Sequence, residues 1–257
     1  NRDIREELTE ARRFSKHHDF IQSLRIYRNI FDNHSHELSA NNKRTCCWKI
    51  YRAHVKNCTC EEELIEAAEF IIDVCRQADM NVVNTCPYTL SVLKVFDMLF
   101  DKGEFYNCLY WIDKIRPEYL NGDKGMWKGR PTKSRRERFL DRATKALLEC
   151  EEYDECIDLC QMALESMDDF INYADTWYRW RIAKSLKALN RHEEALGYLT
   201  EVLRVKQEWY MYRDMAEIHC SLGNEDEALE NVCCAMLAPG QRQMKVNLYG
   251  LVYHLLK

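Results

Sequence analysis

Apolar residues recur along this chain at steps of three and four with polar residues between them, the pattern of helices that each bury one stripe. Ile4, Leu8, Ala11 and Phe14 share one face of residues 2–17, with Arg5, Arg12, Arg13 and Lys16 on the remaining surface. His18 and Asp19 interrupt that helix, and Phe20, Ser23, Leu24, Tyr27, Ile30 and Phe31 begin a second that runs to about residue 33. The same two-helix unit is predicted at 40–79, 88–116, 134–167, 170–206 and 208–237. In the second unit Thr59, with Glu62 three residues on, reads as the N-cap of the helix carrying Leu64, Ala67, Ala68 and Ile71. A break comes next at Asn81 to Pro87. Residues 241–257, with Val246, Tyr249, Val252, Tyr253 and Leu255, are too apolar to stand alone and form a closing helix. Six helix pairs and that closing helix are expected, with no strand longer than three residues. Cys86 to Leu99 is the most β-like stretch in composition, yet Leu90, Leu93, Phe96 and Leu99 keep a helical step.

Within the second half a short pattern recurs at Leu148–Ala163, Leu189–Val202 and Leu222–Ala235: a polar turn, acidic residues suited to a helix N-terminus, a small residue, an apolar residue four later, and a third three beyond. The three sets are Cys156, Cys160, Ala163; Ala195, Leu199, Val202; and Ala228, Val232, Ala235. Ser23, Ala67 and Cys108 take the small-residue slot in the earlier pairs, so successive slots are 44, 41, 48, 39 and 33 residues apart. The largest spacing coincides with residues 117–133, where Asn121-Gly122, Lys124-Gly125, Lys128-Gly129 and Pro131 break any helical period. That insert reads as a structureless, solvated loop.

From Trp177 to Leu256 the chain resembles bacterial-type tetratricopeptide repeat (TPR) proteins. The residues that carry the resemblance are Ala183 to Leu196, reading Ala-Lys-Ser-Leu-Lys-Ala-Leu-Asn-Arg-His-Glu-Glu-Ala-Leu, and Asp214 to Leu229, ending Leu-Gly-Asn-Glu-Asp-Glu-Ala-Leu. Only the last slot spacing approaches the family period of about 34 residues, and the likeness is strong over about the last 110 residues. The Trp and Leu-Gly of the family's first helix are mostly replaced, and Ala195 to Leu199 lacks the family's aromatic residue. The resemblance implies an all-α fold, a right-handed α–α superhelix, in one domain over 1–257. It also implies a concave groove lined by the first helices of successive pairs, holding a partner's peptide, tail or helix. Superposing the repeats places Arg138, Asp141 and Lys145, then Trp177, Trp180, Lys184 and Lys187, then Tyr210, Arg213 and Glu217 on that face, a groove expected to be aromatic and mostly basic. Trp177, Trp180, Lys184 and Lys187 lie along one helical stripe, and two lysines make it a poor core face.

Composition narrows the choice of function. With 37 basic and 42 acidic residues the formal net charge is −5, so attraction to nucleic acid or to an anionic membrane would have to be local. One such place is the insert together with the first residues of the next helix, where Lys128, Arg130, Lys133, Arg135, Arg136 and Arg138 face the single acidic Glu137. No apolar run approaches the roughly 18 residues a membrane helix needs, so a cytoplasmic protein is expected. Asn1 at the start suggests either a trimmed chain or a piece of a longer polypeptide. Thirteen cysteines, an odd number lying mostly within helical patterns, suit packed thiols in a reducing compartment; Cys108, Cys156, Cys160 and Cys234 are placed where small apolar groups pack. A zinc site from Cys46, Cys47, His54, Cys58 and Cys60 is disfavoured because it lacks a Cys-x-x-Cys knuckle. No cofactor is expected. There is no Gly-rich phosphate loop, nucleophile elbow or His-Glu-x-x-His, which argues against an enzyme. A non-catalytic scaffold for an acidic partner is expected. The alternatives are a nucleic-acid-binding repeat module and the sensor or adaptor domain of a longer protein whose effector lies elsewhere.

Overall fold

The computed structural model describes residues 3–75, 86–167 and 170–256. The end of the second expected pair at 76–79 and most of the break after it lie outside the described residues. The fold is all-α: thirteen α-helices among the described residues, arranged as six TPR-like pairs and a closing helix. Two compact units, 1–121 and 122–257, divide the chain within the insert.

Unit 1 contains α1 (Ile4–Lys16) and α2 (Phe20–His34), α3 (Ala40–Ile50) and α4 (Glu61–Val74), and α5 (Pro87–Lys102) and α6 (Phe105–Ile112). Four of its six helix starts are set by side chains that satisfy the free N–H groups of a first turn. Asp3, Asp19 and Ser39 accept from Arg5, Gln22 and Asn42, and the Cys86 sulfur accepts from the Thr89 N–H with Pro87 at the first helical position. The expected cap at Thr59 is displaced: α4 begins at Glu61 with Cys60 in the capping position and no side-chain cap bond. Three glutamates in its first turn supply the negative charge that a helix N-terminus favours. α3 runs on into a π turn at Tyr51–Val55, whose wider path turns His54 and Val55 into the core.

Unit 2 contains a β-hairpin, β1 (Gly125–Trp127) and β2 (Arg130–Thr132), then α7 (Arg135–Glu149) and α8 (Tyr153–Ser166), α9 (Ala174–Ala188) and α10 (His192–Val205), α11 (Trp209–Leu222) and α12 (Glu225–Leu237), and the closing helix α13 (Val246–Leu255). Each first helix touches both its own partner and the first helix of the next pair, α7 on α9 and α9 on α11, which is how TPR-like pairs stack.

The repeat is sharper in the backbone than in the residue types. Five of the six pairs make the same turn: His18, Gly103, Glu151, Asn190 and Gly223 all take the left-handed conformation, with φ between 59° and 77°. Next to each comes a capping residue with ψ of 61° to 76°. Five positions after each left-handed residue lies the small-residue slot, Ser23, Cys108, Cys156, Ala195 and Ala228, the fourth residue of its helix and 0% exposed. α4 is the exception, because its slot, Ala67, also 0% exposed, is the seventh residue of the helix. Cys108, Cys156 and Cys160 are buried as expected, whereas Cys234 is only half-buried on α12.

Candidate functional site

The aromatic cluster in unit 2 is built by two first helices. Trp177 and Trp180 lie one turn apart on α9, with ring centroids 5.8 Å apart and edge to face. Tyr210 of α11 meets Trp180 at 5.3 Å. All three rings are half-buried. The indole N–H of Trp180 donates to Asp214 Oδ2 at 3.1 Å, so the polar atom of the ring is satisfied and its faces remain available. One cation lies over each indole: Lys184 Nζ is 5.0 Å from the Trp180 ring centre and Lys206 Nζ 4.2 Å from that of Trp177. Burial, with Glu208 and Asp214 nearby, pushes the Tyr210 phenol up to about 12, so it stays neutral and can donate a hydrogen bond.

The expectation of a mostly basic groove is corrected here. Asp214, 1% exposed, accepts from Lys187 Nζ at 3.3 Å and from Arg213 at 3.3 Å, and Glu217 also pairs with Lys187. Arg213 Nε comes to 3.5 Å from Glu217, an ion-pair distance without hydrogen-bond geometry. Two carboxylates thus neutralise Lys187 and Arg213; Lys187 reaches from α9 to both of them on α11, while Arg213 pairs within α11 itself. Lys184 pairs with no carboxylate among the described residues. Arg138 and Lys145 lie exposed on α7 and make interactions of their own. What joins α7 to α9 is instead Asp141, which accepts from Arg181 Nη1 at 2.9 Å and from Lys133 Nζ at 2.8 Å. Burial alone would push the Asp141 carboxyl up, but these two cations hold it below its ordinary value. Arg181 is 8% exposed and also donates to Thr144 Oγ1 at 2.9 Å, so it is a structural cation. The sequence places Asp141 and Glu217 on this face without their partners and does not point to Asp214, whose role depends on how α9 meets α11.

The basic insert is not structureless. Lys128 and Gly129, with φ of 49° and 76°, form the two-residue turn whose twist matches a β-hairpin. Pairing runs Gly125 to Thr132, Met126 to Pro131 and Trp127 to Arg130. A Cβ at Gly125 would come within 2.7 Å of Thr132 Oγ1 across the hairpin, so a side chain there would force Thr132 to move. Trp127 is 65% exposed, with Lys128 Nζ 4.4 Å from its ring centre. Of the other basic residues, Arg130 is exposed on β2, Lys133 is bound to Asp141, and Arg135 and Arg136 make further interactions at the start of α7.

Unit 1 brings together one Ser/His constellation. Ser23 Oγ donates to the Ala11 carbonyl at 2.9 Å, which uses its only proton. It must therefore accept from Ser15 Oγ at 2.6 Å and from His54 Nε2 at 3.2 Å, which places a proton on His54 Nε2. A histidine donating to a serine is the reverse of a general base, and burial pushes its pKa down to about 4. Ser23 and His54 are 0% and 3% exposed. The geometry ties helices together and offers no substrate a path. No group of three or more His, Cys, Asp or Glu that could hold a metal ion occurs among the described residues. No helix among them is long and apolar enough to cross a membrane.

No family model matches the chain, and no curated protein matches it. Among solved structures, the MamA structure labelled AMB-1 is 15% identical over 77% of this chain and 99% of its own, with a TM-score of 0.48. Another MamA structure is 15% identical over 76% and 91%, at 0.49. YrrB, described as a TPR protein with an unusual peptide-binding site, is 14% identical over 82% and 90%, at 0.46.

Proposed function

We propose that the chain is a non-catalytic protein-interaction scaffold whose second unit captures an extended, carboxylate-bearing segment of a partner protein against α9 and α11. The observation that carries this reading is Lys184 over Trp180: a cation with no carboxylate partner among the described residues, held on an indole whose own N–H is already bonded. An incoming carboxylate can take the ammonium by a charge-assisted hydrogen bond while an adjacent apolar side chain rests against Trp177, Trp180 and Tyr210. Lys206 over Trp177 extends the same arrangement by one ring. The test is binding of fluorescein-labelled extended peptides, acidic, neutral and basic, to the full chain. Acidic peptides should bind tightest, and Lys184→Glu should weaken them at least tenfold with Tm unchanged. Equal binding of all three peptides, or indifference to Lys184→Glu, would overturn the proposal.

A second reading rests on the hairpin. An exposed Trp127 flanked by Lys128 and Arg130 suits stacking on a base with phosphates held alongside, as single-stranded nucleic acid requires. Labelled oligo-dT separates the two: binding that falls steeply with salt and is lost in Trp127→Ala would favour this reading over the first.

A further inference from the structure

Thirteen cysteines are free in this structure, and two that do not share a helix meet. Cys75 Sγ lies 2.8 Å from Cys47 Sγ, 28 positions away in sequence, and both residues are buried. That separation is within about 0.8 Å of the roughly 2.0 Å of a disulfide bond. Cys47 sits on α3, while Cys75 lies just past the last residue of α4 with extended backbone, φ −115° and ψ 130°. One partner is therefore outside regular helix and can approach the other without unwinding a turn. Cys156 and Cys160 differ: they lie four apart on α8, where side chains on one helix stand about 5–6 Å apart at Cβ, beyond the roughly 3.5–4.5 Å a disulfide spans.

We infer that Cys47 and Cys75 are a covalent modification site, an oxidisable dithiol that closes to a disulfide joining α3 to the end of α4 when a peroxide-class oxidant reaches the chain. The balance is simple. One thiolate sulfur attacks hydrogen peroxide, breaking the O–O bond to give a sulfenic acid and, after proton uptake, one water. The second thiolate attacks that sulfur, the S–S bond forms, and hydroxide leaves and is protonated to a second water. Two electrons pass from the two thiols to one peroxide. In a reducing setting the pair stays as two thiols. Contact with Cys75 and burial push the Cys47 thiol well up, so its thiolate is scarce at neutral pH and coupling quickens as pH rises.

The bond would have a physical consequence. It would close a loop running from the last turn of α3 through the π turn and the whole of α4, and reduce the freedom of the unfolded chain, so the oxidised form should be the more stable. It would also fix the end of α4 on the helix that neighbours it.

The experiment uses the full chain, purified reduced, then treated with hydrogen peroxide, alkylated and digested with trypsin without reductant. Residues 45–49 and 57–76 should appear as one linked species, and fragmentation should place the bond at Cys47 and Cys75. Tm should rise by several degrees and return when reductant is added. Cys46→Ser should keep the link and Cys47→Ala should lose it; if Cys47→Ala does not fold, Cys75→Ser at the helix end reads the same loss. The proposal is overturned if both thiols remain fully alkylated after peroxide, or if fragmentation places the bond at Cys46, Cys58 or Cys60.

Discussion

Glu151 holds the backbone conformation that Gly223 holds 72 positions later, φ 64° against 75°, and each stands five residues before a fully buried small residue. Glycine enters the left-handed region without penalty; a residue with a Cβ does so at a cost of about 1 kcal/mol. Glu151→Gly should therefore stabilise unit 2 by up to about 1 kcal/mol, and Gly223→Ala should destabilise it by a similar amount. Urea unfolding of the two variants checks both signs. A Glu151→Gly variant less stable than the parent would mean that the side chain makes a compensating contact.

The small-residue slots make a steric prediction. Ala195 and Ala228 are 0% exposed where the helices of a pair approach, and an indole cannot enter without moving one of them. Ala195→Trp and Ala228→Trp should each cost about 1 to 3 kcal/mol or more. Thermal melts of the single variants measure this, and parental melting of either would show that its pair has room the burial does not suggest.

Asp214 makes an electrostatic prediction. Its carboxylate is 1% exposed and bonded to Trp180, Lys187 and Arg213, so Asp214→Ala leaves an indole N–H and two cations without that partner. The loss should be about 3 kcal/mol. Lys187→Met removes one of several donors from a more exposed position and should cost clearly less. Denaturant titration of both variants orders them, and a larger loss for Lys187→Met would reverse the assignment of Asp214 as the anchor.

His54 makes a pH prediction. Burial drives its pKa from the ordinary 6.5 to about 4, so the folded state holds the neutral ring and the unfolded chain binds the proton more tightly. The resulting stability is fully present above about pH 6.5 and is lost as pH falls from there through 4, by about 1.4 kcal/mol per pH unit at most. His54→Gln, which can still donate to Ser23, should flatten unit 1's pH dependence over that range. Unchanged pH dependence in the variant would assign the effect to carboxylates instead.

The helices and the slots were legible in the sequence because both arise from periodicity: a step of three or four marks the buried stripe, and a small residue marks where two helices come close. Ala195, Ala228 and Cys156 could be placed without coordinates. The charges of the groove could not. Lys184 and Lys187 sit one turn apart on the same stripe, yet one rests on a tryptophan and the other on Asp214 and Glu217. The difference is set by how α9 is rotated against α11, a relation between two helices that the sequence of neither contains. The hairpin was missed for a different reason. Strands of three residues are too short to show an alternating pattern, although Lys128-Gly129 between Trp127 and Arg130 is a turn signal of the right kind.

In an array where each helix pair leans only on its neighbours, each pair can in general open by itself. The hydroxyl of Ser23 works against this in the first pair. It is bonded at once to the backbone of α1, to a serine near the end of that helix and to a histidine on the π turn that continues α3. Peeling α1 away would break two of these bonds at once and open the Ser23–His54 pair to water, so amide hydrogens along α1, α2 and the π turn should exchange as one cooperative block.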